Sequence, residues 1–200
     1  MTKKFVLAAL SLTAVAAPAS AQRLPAAVVA VVDLQRVTAE CTACKSALAA
    51  LQAQETSFQN RQQALATPLQ TEEQAIQAAI AALPAAQRAN PPAALKTRVE
   101  KYQQSRAQAA QELQQLQGRL QSTEANVNLQ IANKLDTIYP GVMTARGATV
   151  LVDKRTTLAS SGGIDVTNDV LAQLNSQLPA VSVTPLPQQQ QPTQQRPQGR

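Results

Sequence analysis

The sequence predicts a mainly α-helical protein with a small β body, organised around one long antiparallel helical hairpin. Residues 45–138 consist mostly of Ala, Gln and Leu, and their apolar residues recur at alternating spacings of four and three. That spacing is the heptad pattern of a coiled coil. Two short stretches, 26–32 and 148–153, are instead rich in the aliphatic residues typical of strands. The predicted fold is therefore a coiled-coil arm attached to a small sheet.

Residues 1–21 have the three parts of a secretory signal peptide. Two lysines precede a short apolar run, and Ala19-Ser20-Ala21 is a small-residue cleavage pattern. The apolar run is too short to span a bilayer. We therefore expect export to the periplasm and a mature chain that begins near Gln22.

The composition excludes several classes of function. The chain of 200 residues has no His and no Trp, and aromatic residues make up 2% of it. Without His there is no imidazole base, no imidazole metal ligand and no usual catalytic triad. No glycine-rich phosphate-binding motif occurs. We expect no enzyme activity, no cofactor and no metal site.

The first predicted element is a buried strand over 26–32, ending at Asp33. Cys41 and Cys44 follow in a C-x-x-C spacing near the start of the first long helix. In an exported protein these thiols could form a local disulfide or a redox pair, or could be two small buried residues. No second cysteine pair exists to complete a zinc site. A structural role is favoured over a redox role.

The hairpin covers residues 45–138, with its tip near 84–92, where Pro84, Pro91 and Pro92 interrupt both helices. Its two arms carry matching apolar stripes. If the chain reverses near Arg88, the opposite charges of Glu72 and Arg106 should face each other across the seam.

The residues after the hairpin are predicted to complete the head. Tyr139-Pro140-Gly141 should end or kink the second helix. A second strand follows at 148–153, and a third is predicted at 157–160. Asp165 should cap a final helix from Val166 to about Gln177, with Val170, Leu171 and Leu174 facing inward.

The predicted domain therefore covers residues 22–178, with a head formed by 22–44 and 139–178. Residues 179–200 are rich in Pro and Gln and are predicted to be a disordered tail. Three short strands leave open edges, which association between chains would close. The expected oligomer core consists of Val28, Val29, Val31, Val32, Val150, Leu151 and Val152.

The order of these segments resembles the Skp/OmpH family of periplasmic chaperones. The resemblance covers nearly all of residues 26–178 and is most specific over 150–174, whereas the hairpin matches by architecture. It implies a homotrimer whose strands close into a β-barrel body, with three hairpins projecting as tentacles around a cavity. That cavity would hold unfolded outer-membrane proteins without ATP. The cysteine pair, the proline-rich tip and the Gln/Pro tail depart from the family pattern.

Basic residues crowd the tip half of the arm and are the candidate client-binding residues: Arg88, Lys96, Arg98, Lys101 and Arg106. Such charges are often only a solvated helix face. Around a cavity, however, they would attract acidic clients, and anionic membrane surfaces form a second class of partner.

Other classes of function compete with the holdase prediction. A structural or tethering coiled coil of the envelope would need no affinity for unfolded chains. A thiol oxidoreductase would use Cys41 and Cys44. Nucleic-acid binding fits poorly, because the net charge is only +6 and aromatic residues are few.

Overall fold

The computed structural model describes residues 25–187. The predicted signal peptide and residues 188–200 of the predicted tail lie outside the described residues. The elements in chain order are β1 (Val29–Val32), α1 (Leu34–Glu40), α2 (Thr42–Ala81), α3 (Ala85–Arg88), α4 (Ala93–Arg146), β2 (Val150–Asp153) and α5 (Thr167–Gln177). Short 3-10 turns at Lys154–Thr156 and Gly162–Ile164 separate β2 from α5.

The hairpin is formed by α2 and α4, which have 40 and 54 residues. At a rise of about 1.5 Å per residue, these helices are roughly 60 and 80 Å long. The short helix α3 lies in the tip, which prolines border on both sides. The prediction of a mainly helical fold with a small sheet is confirmed.

Helix α4 does not end at Tyr139-Pro140-Gly141, so the end predicted there as the alternative to a kink is wrong. The helix continues through Pro140 and ends at Gly147, whose φ of 65° is left-handed. A proline removes only one helical donor, whereas Ile138 and Val142 on either side of it are buried in the head core. Packing of this helix face therefore outweighs the local cost of the proline.

The sheet of the described residues has two parallel strands, with Val29 opposite Val150 and Val32 opposite Asp153. The predicted third strand at 157–160 is wrong, and Leu158 within it is fully exposed. The Asp153 side chain accepts a hydrogen bond from the Arg155 amide, which turns the chain into a 3-10 turn directly after β2. The chain returns to β1 only where the Val166 amide donates to the Val31 carbonyl.

The core lies in the head, where β1, α1 and α5 pack against the head-proximal ends of α2 and α4. Val170 and Leu174 of α5 are completely buried, and Leu171 is half-buried, as the sequence predicted. Asp165 accepts a hydrogen bond from the Thr167 amide at the start of α5. The arms beyond the head contribute little to this core.

The residues predicted to form the oligomer core fall into three groups. Val31 and Val32 are buried within their own chain, and Val32 belongs to the core of the head. Val28, Val29 and Val150 are 49%, 39% and 40% exposed, and they present apolar surface at one end of the sheet. Leu151 and Val152 are half-buried.

Residues 179–187 pack against the hairpin, so the tail predicted for 179–200 is not disordered over its first nine residues. We call this segment the strap. Val181 and Val183 pack against the head core, and backbone groups from 182 to 186 are bonded to side chains of α2 and α4. The segment packs here although its composition indicates disorder, because Val181 and Val183 supply enough apolar surface to hold it.

Candidate functional site

The arms expose most of their side chains. Between residues 48 and 122, the buried residues are Ile76 and Ala109. The remaining seam residues are at most half-buried, and small Ala and polar Gln fill many seam positions. A hairpin of this kind provides a long surface and contributes little to stability.

Two bidentate ion pairs join the arms. The Arg61 guanidinium on α2 donates to the Glu112 carboxylate on α4 at 2.6 and 3.0 Å. Arg98 on α4 donates to Glu72 on α2 at 2.6 and 2.9 Å. These hydrogen bonds from Arg61 and Arg98 lower the pKa values of Glu112 and Glu72.

The predicted pairing of Glu72 with Arg106 is wrong, because Glu72 pairs with Arg98, which lies eight residues earlier on α4. The other ion pair is shifted in the same direction, since Arg61 should have faced residue 117 and instead bonds Glu112. Apolar stripes with a heptad repeat match at more than one offset. The two ion pairs therefore show an offset of the arms that the apolar stripes alone did not predict.

An elongated cleft of about 610 Å³ lies between the two ion pairs. Its apolar lining includes Leu65, Pro68, Leu69, Tyr102 and Ala109. Partial burial raises the pKa of the Tyr102 hydroxyl, and the neighbouring Glu73 carboxylate adds to this effect. The cleft combines an apolar floor with charged ends.

The five predicted client-binding residues are all exposed, but they differ in their partners. Arg88 donates to the carbonyls of Leu83 and Ala81 and so holds the tip together. Lys96 donates to the Asn90 side chain, and Arg98 is neutralised by Glu72. Lys101 lines the cleft of about 610 Å³ between the two ion pairs. Within the described part of the chain, neither Lys101 nor Arg106 forms an ion pair. These two are the cations most available to a partner.

A second cleft, of about 510 Å³, lies nearer the head and is bordered by the strap. Phe58, Leu116 and Leu120 supply its apolar lining, and Val183 and Pro185 of the strap close one side. Sequence reasoning missed this site. The alternation of apolar and polar residues at Val181-Ser-Val-Thr184 is the signal that could have revealed it.

Cys41 and Cys44 form a disulfide at the start of α2. Both are buried, and Cys41 caps the helix by accepting the Cys44 amide at 3.2 Å. Within residues 25–187, no group of three or more potential ligands is placed to bind a metal ion, and no helix is long and apolar enough to cross a membrane.

The fold and the sequence both have known relatives. A solved structure from Caulobacter crescentus CB15, described as a candidate outer membrane chaperone (OmpH-like), matches with a TM-score of 0.66 and 18% identity. The match covers 84% of this chain and 96% of that one. No curated protein matches the chain. The family model for outer membrane protein (OmpH-like) matches residues 28–174, and the chain therefore belongs to the OmpH-like family.

Proposed function

We propose that this protein is an ATP-independent holdase chaperone of the periplasm. It binds unfolded outer-membrane proteins between its helical arms and prevents their aggregation. Membership of the OmpH-like family and the chaperone description of the Caulobacter relative support this proposal. The predicted signal peptide supports export.

The observation that carries the proposal is the contrast between the length of the arms and their burial. Helices of 40 and 54 residues form a hairpin whose outer part, residues 48–122, has two buried residues. A compact fold would bury these helices, because helical stability in proteins comes mainly from packing of an apolar face. Arms that remain exposed, with apolar clefts along their seam, are suited to many weak contacts with a non-native chain.

The exposed apolar residues and open edges of the head support the proposed trimer. A two-stranded sheet with exposed Val28, Val29 and Val150 is marginal on its own, and its open edges favour pairing with another chain. A shared β body would cover these residues and bring several hairpins around one cavity. The cavity would then be lined by arms from each chain.

Electrostatic attraction in this proposal comes from Lys101 and Arg106. Arg88, Lys96 and Arg98 have partners of their own at the tip and the seam. Exposed cations attract acidic clients over distances of about 10 Å at moderate salt. Binding should therefore weaken as salt rises and retain an apolar component.

The test combines the native mass of the protein with aggregation of an unfolded β-barrel membrane protein in ATP-free buffer. A trimeric mass and suppressed aggregation are expected. Replacing Lys101 and Arg106 by Gln should weaken and slow capture. The matched control replaces Lys45 and Lys134, at the head end of the hairpin, by Gln and should not change capture.

Three results would count against parts of the proposal. A monomeric mass would contradict the assembly. Unaltered aggregation in the presence of the protein would contradict the holdase and favour a structural coiled coil. Equal capture by the two charge variants would contradict the role of Lys101 and Arg106 in client binding. Binding of the protein to anionic vesicles would then favour a membrane surface as the partner of these two cations.

A further inference from the structure

The strap lies along a row of polar side chains on α4. Ser122, Asn126 and Gln130 stand four residues apart and are half-buried. We call these three residues the polar row. Each of them bonds the backbone of the strap and not its side chains.

The bonds repeat along the strap with a period of two residues. Gln130 accepts the Ser182 amide and donates to the Ser182 carbonyl, both at 3.0 Å. Asn126 donates to the Thr184 carbonyl at 2.9 Å, and the Leu186 amide donates to the Ser122 hydroxyl at 3.0 Å. On the other side, Gln54 of α2 donates to the Val183 carbonyl at 3.0 Å.

This pattern follows from the dimensions of the two backbones. Two residues of an extended chain span about 6.6 Å, because a strand rises about 3.3 Å per residue. Four residues of an α-helix span about 6 Å. A polar residue at every fourth helix position therefore meets the backbone at every second position of an extended chain.

The side chains of the strap alternate in the same way. Val181 and Val183 are half-buried against the head core, whereas Ser182 and Thr184 are exposed and bond each other at 2.9 Å. Because the bonds are made to the backbone, the polar row does not select a sequence. The site requires only an extended chain with apolar residues at alternate positions.

We propose that the polar row and Gln54 form a docking site for an extended polypeptide segment with alternating apolar and polar residues, and that the strap is its displaceable intramolecular occupant. Strands of outer-membrane β-barrels have this alternation, so an unfolded β-barrel client carries many such segments. The choice of client rests on the proposed function, whereas the site itself does not.

The adjoining cleft of about 510 Å³ extends the docking site beyond the surface that the strap itself contacts. Phe58, Leu116 and Leu120 line this cleft, and strap residues 183–185 border it. A client segment that displaced the strap would have further apolar surface available beside Val183. It could therefore compete with the strap although the strap is tethered.

The test uses the full chain and a fluorescent peptide with the sequence of residues 178–187. The variant Val181→Asp with Val183→Asp places charges on the inner face and should detach the strap. The matched control, Ala180→Asp with Ser182→Asp, adds the same charges at exposed strap positions that do not line the cleft. If the strap leaves the site about a tenth of the time, detaching it should tighten peptide binding about tenfold, whereas the control should bind like the wild type.

Two further variants complete the test. Adding Gln130→Leu and Asn126→Leu to the detached variant should abolish peptide binding, because three backbone bonds are lost. Replacing Ser122 and Leu186 by Cys should lock the strap through a disulfide and lower peptide affinity below that of the wild type. The locked variant keeps the test decisive if the detached variant does not fold.

Two results would contradict the proposed docking site. One is equal peptide affinity of the detached and control variants, and the other is equal affinity of the locked variant and the wild type. Capture of an unfolded β-barrel protein is measured in parallel. If the detached variant binds the peptide tightly but captures this client no better than the control, the client assignment is overturned and the holdase is unaffected. If no variant captures the client while the peptide binds as expected, the holdase proposal fails and the peptide site stands.

Discussion

The Glu72 carboxylate on α2 accepts two hydrogen bonds from the Arg98 guanidinium on α4, at 2.6 and 2.9 Å. A bidentate pair of this kind brings the guanidinium and carboxylate groups to the same height along the hairpin. Together with the Arg61–Glu112 pair, it limits how the two arms can be offset. Both pairs are exposed, so they report the register and contribute at most about 1 kcal/mol each to the stability of the arms.

A charge-reversal cycle tests this register. Glu72→Arg alone should place two guanidinium groups together and increase hydrogen exchange in the middle of both arms. Adding Arg98→Glu should restore protection, because the ion pair is rebuilt with its charges exchanged. Glu72→Arg combined with Arg106→Glu is the matched control and should not restore it. Equal rescue by both double variants would contradict the observed register.

Acid should loosen the arms through the same carboxylates. The pKa values of Glu72 and Glu112 are lowered from their ordinary value of 4.5 by hydrogen bonds from Arg98 and Arg61. A carboxylate with a depressed folded-state pKa contributes stability above its unfolded value, and that stability is lost as the pH falls through the folded pKa. The distance between labels on α2 and α4 should therefore stay constant down to about pH 4.5 and increase below it.

The control for the acid experiment is the variant Glu72→Gln with Glu112→Gln. Its arms should show no change of separation in the acidic window, because the titrating groups have been removed. If the variant shows the same acid transition as the wild type, other groups open the hairpin.

The hairpin was predictable because its signals are local and repeated. Prolines border the tip, and each arm carries several heptads. Its register was not predictable in the same way, since the repeat fits several offsets and the long Arg98 side chain can reach Glu72 at one of them. The distinction between these offsets depends on contacts between residues distant in sequence.

The loop at 157–160 and the strap could not be predicted, because their structures depend on contacts that the local sequence does not show. The residues at 157–160 suit a strand, but the turn formed by Asp153 and Arg155 diverts the chain before it can pair. The strap lies in a segment whose overall composition indicates disorder. Its four-residue alternation is a contrary signal, but it is too short to outweigh the composition of the surrounding segment.

The cysteine pair is expected to support stability and not client capture. Cys41→Ser with Cys44→Ser removes the disulfide and should cost about 2 kcal/mol, the loop-entropy value for so short a loop. The serine hydroxyl introduced at position 41 can still cap α2. The matched variant Cys41→Ala with Cys44→Ala has no such group and should lose about 1 kcal/mol more. Urea unfolding measures both differences in the free energy of unfolding. Loss of client capture in a folded serine variant would contradict a purely structural role for the disulfide and favour a redox function.

Two glycines at different places in the second arm should respond to alanine in opposite directions. Gly147 ends α4 with a φ of 65°, and an added Cβ strains this left-handed conformation although nothing lies within 4 Å of it. Gly147→Ala should therefore destabilise the protein by about 1–2 kcal/mol. Gly118 lies inside α4, where an added Cβ also meets nothing within 4 Å, so Gly118→Ala should stabilise the helix by about 1 kcal/mol.

Urea unfolding of the two single variants and their combination measures both effects, which should add because the sites are far apart along α4. Gly141→Ala is a second interior control and should resemble Gly118→Ala, since its Cβ also has open space. Neither interior variant should change client capture if the arm acts as a rigid support. Loss of capture with Gly118→Ala, despite higher stability, would show that the arm must bend at this glycine to hold its client.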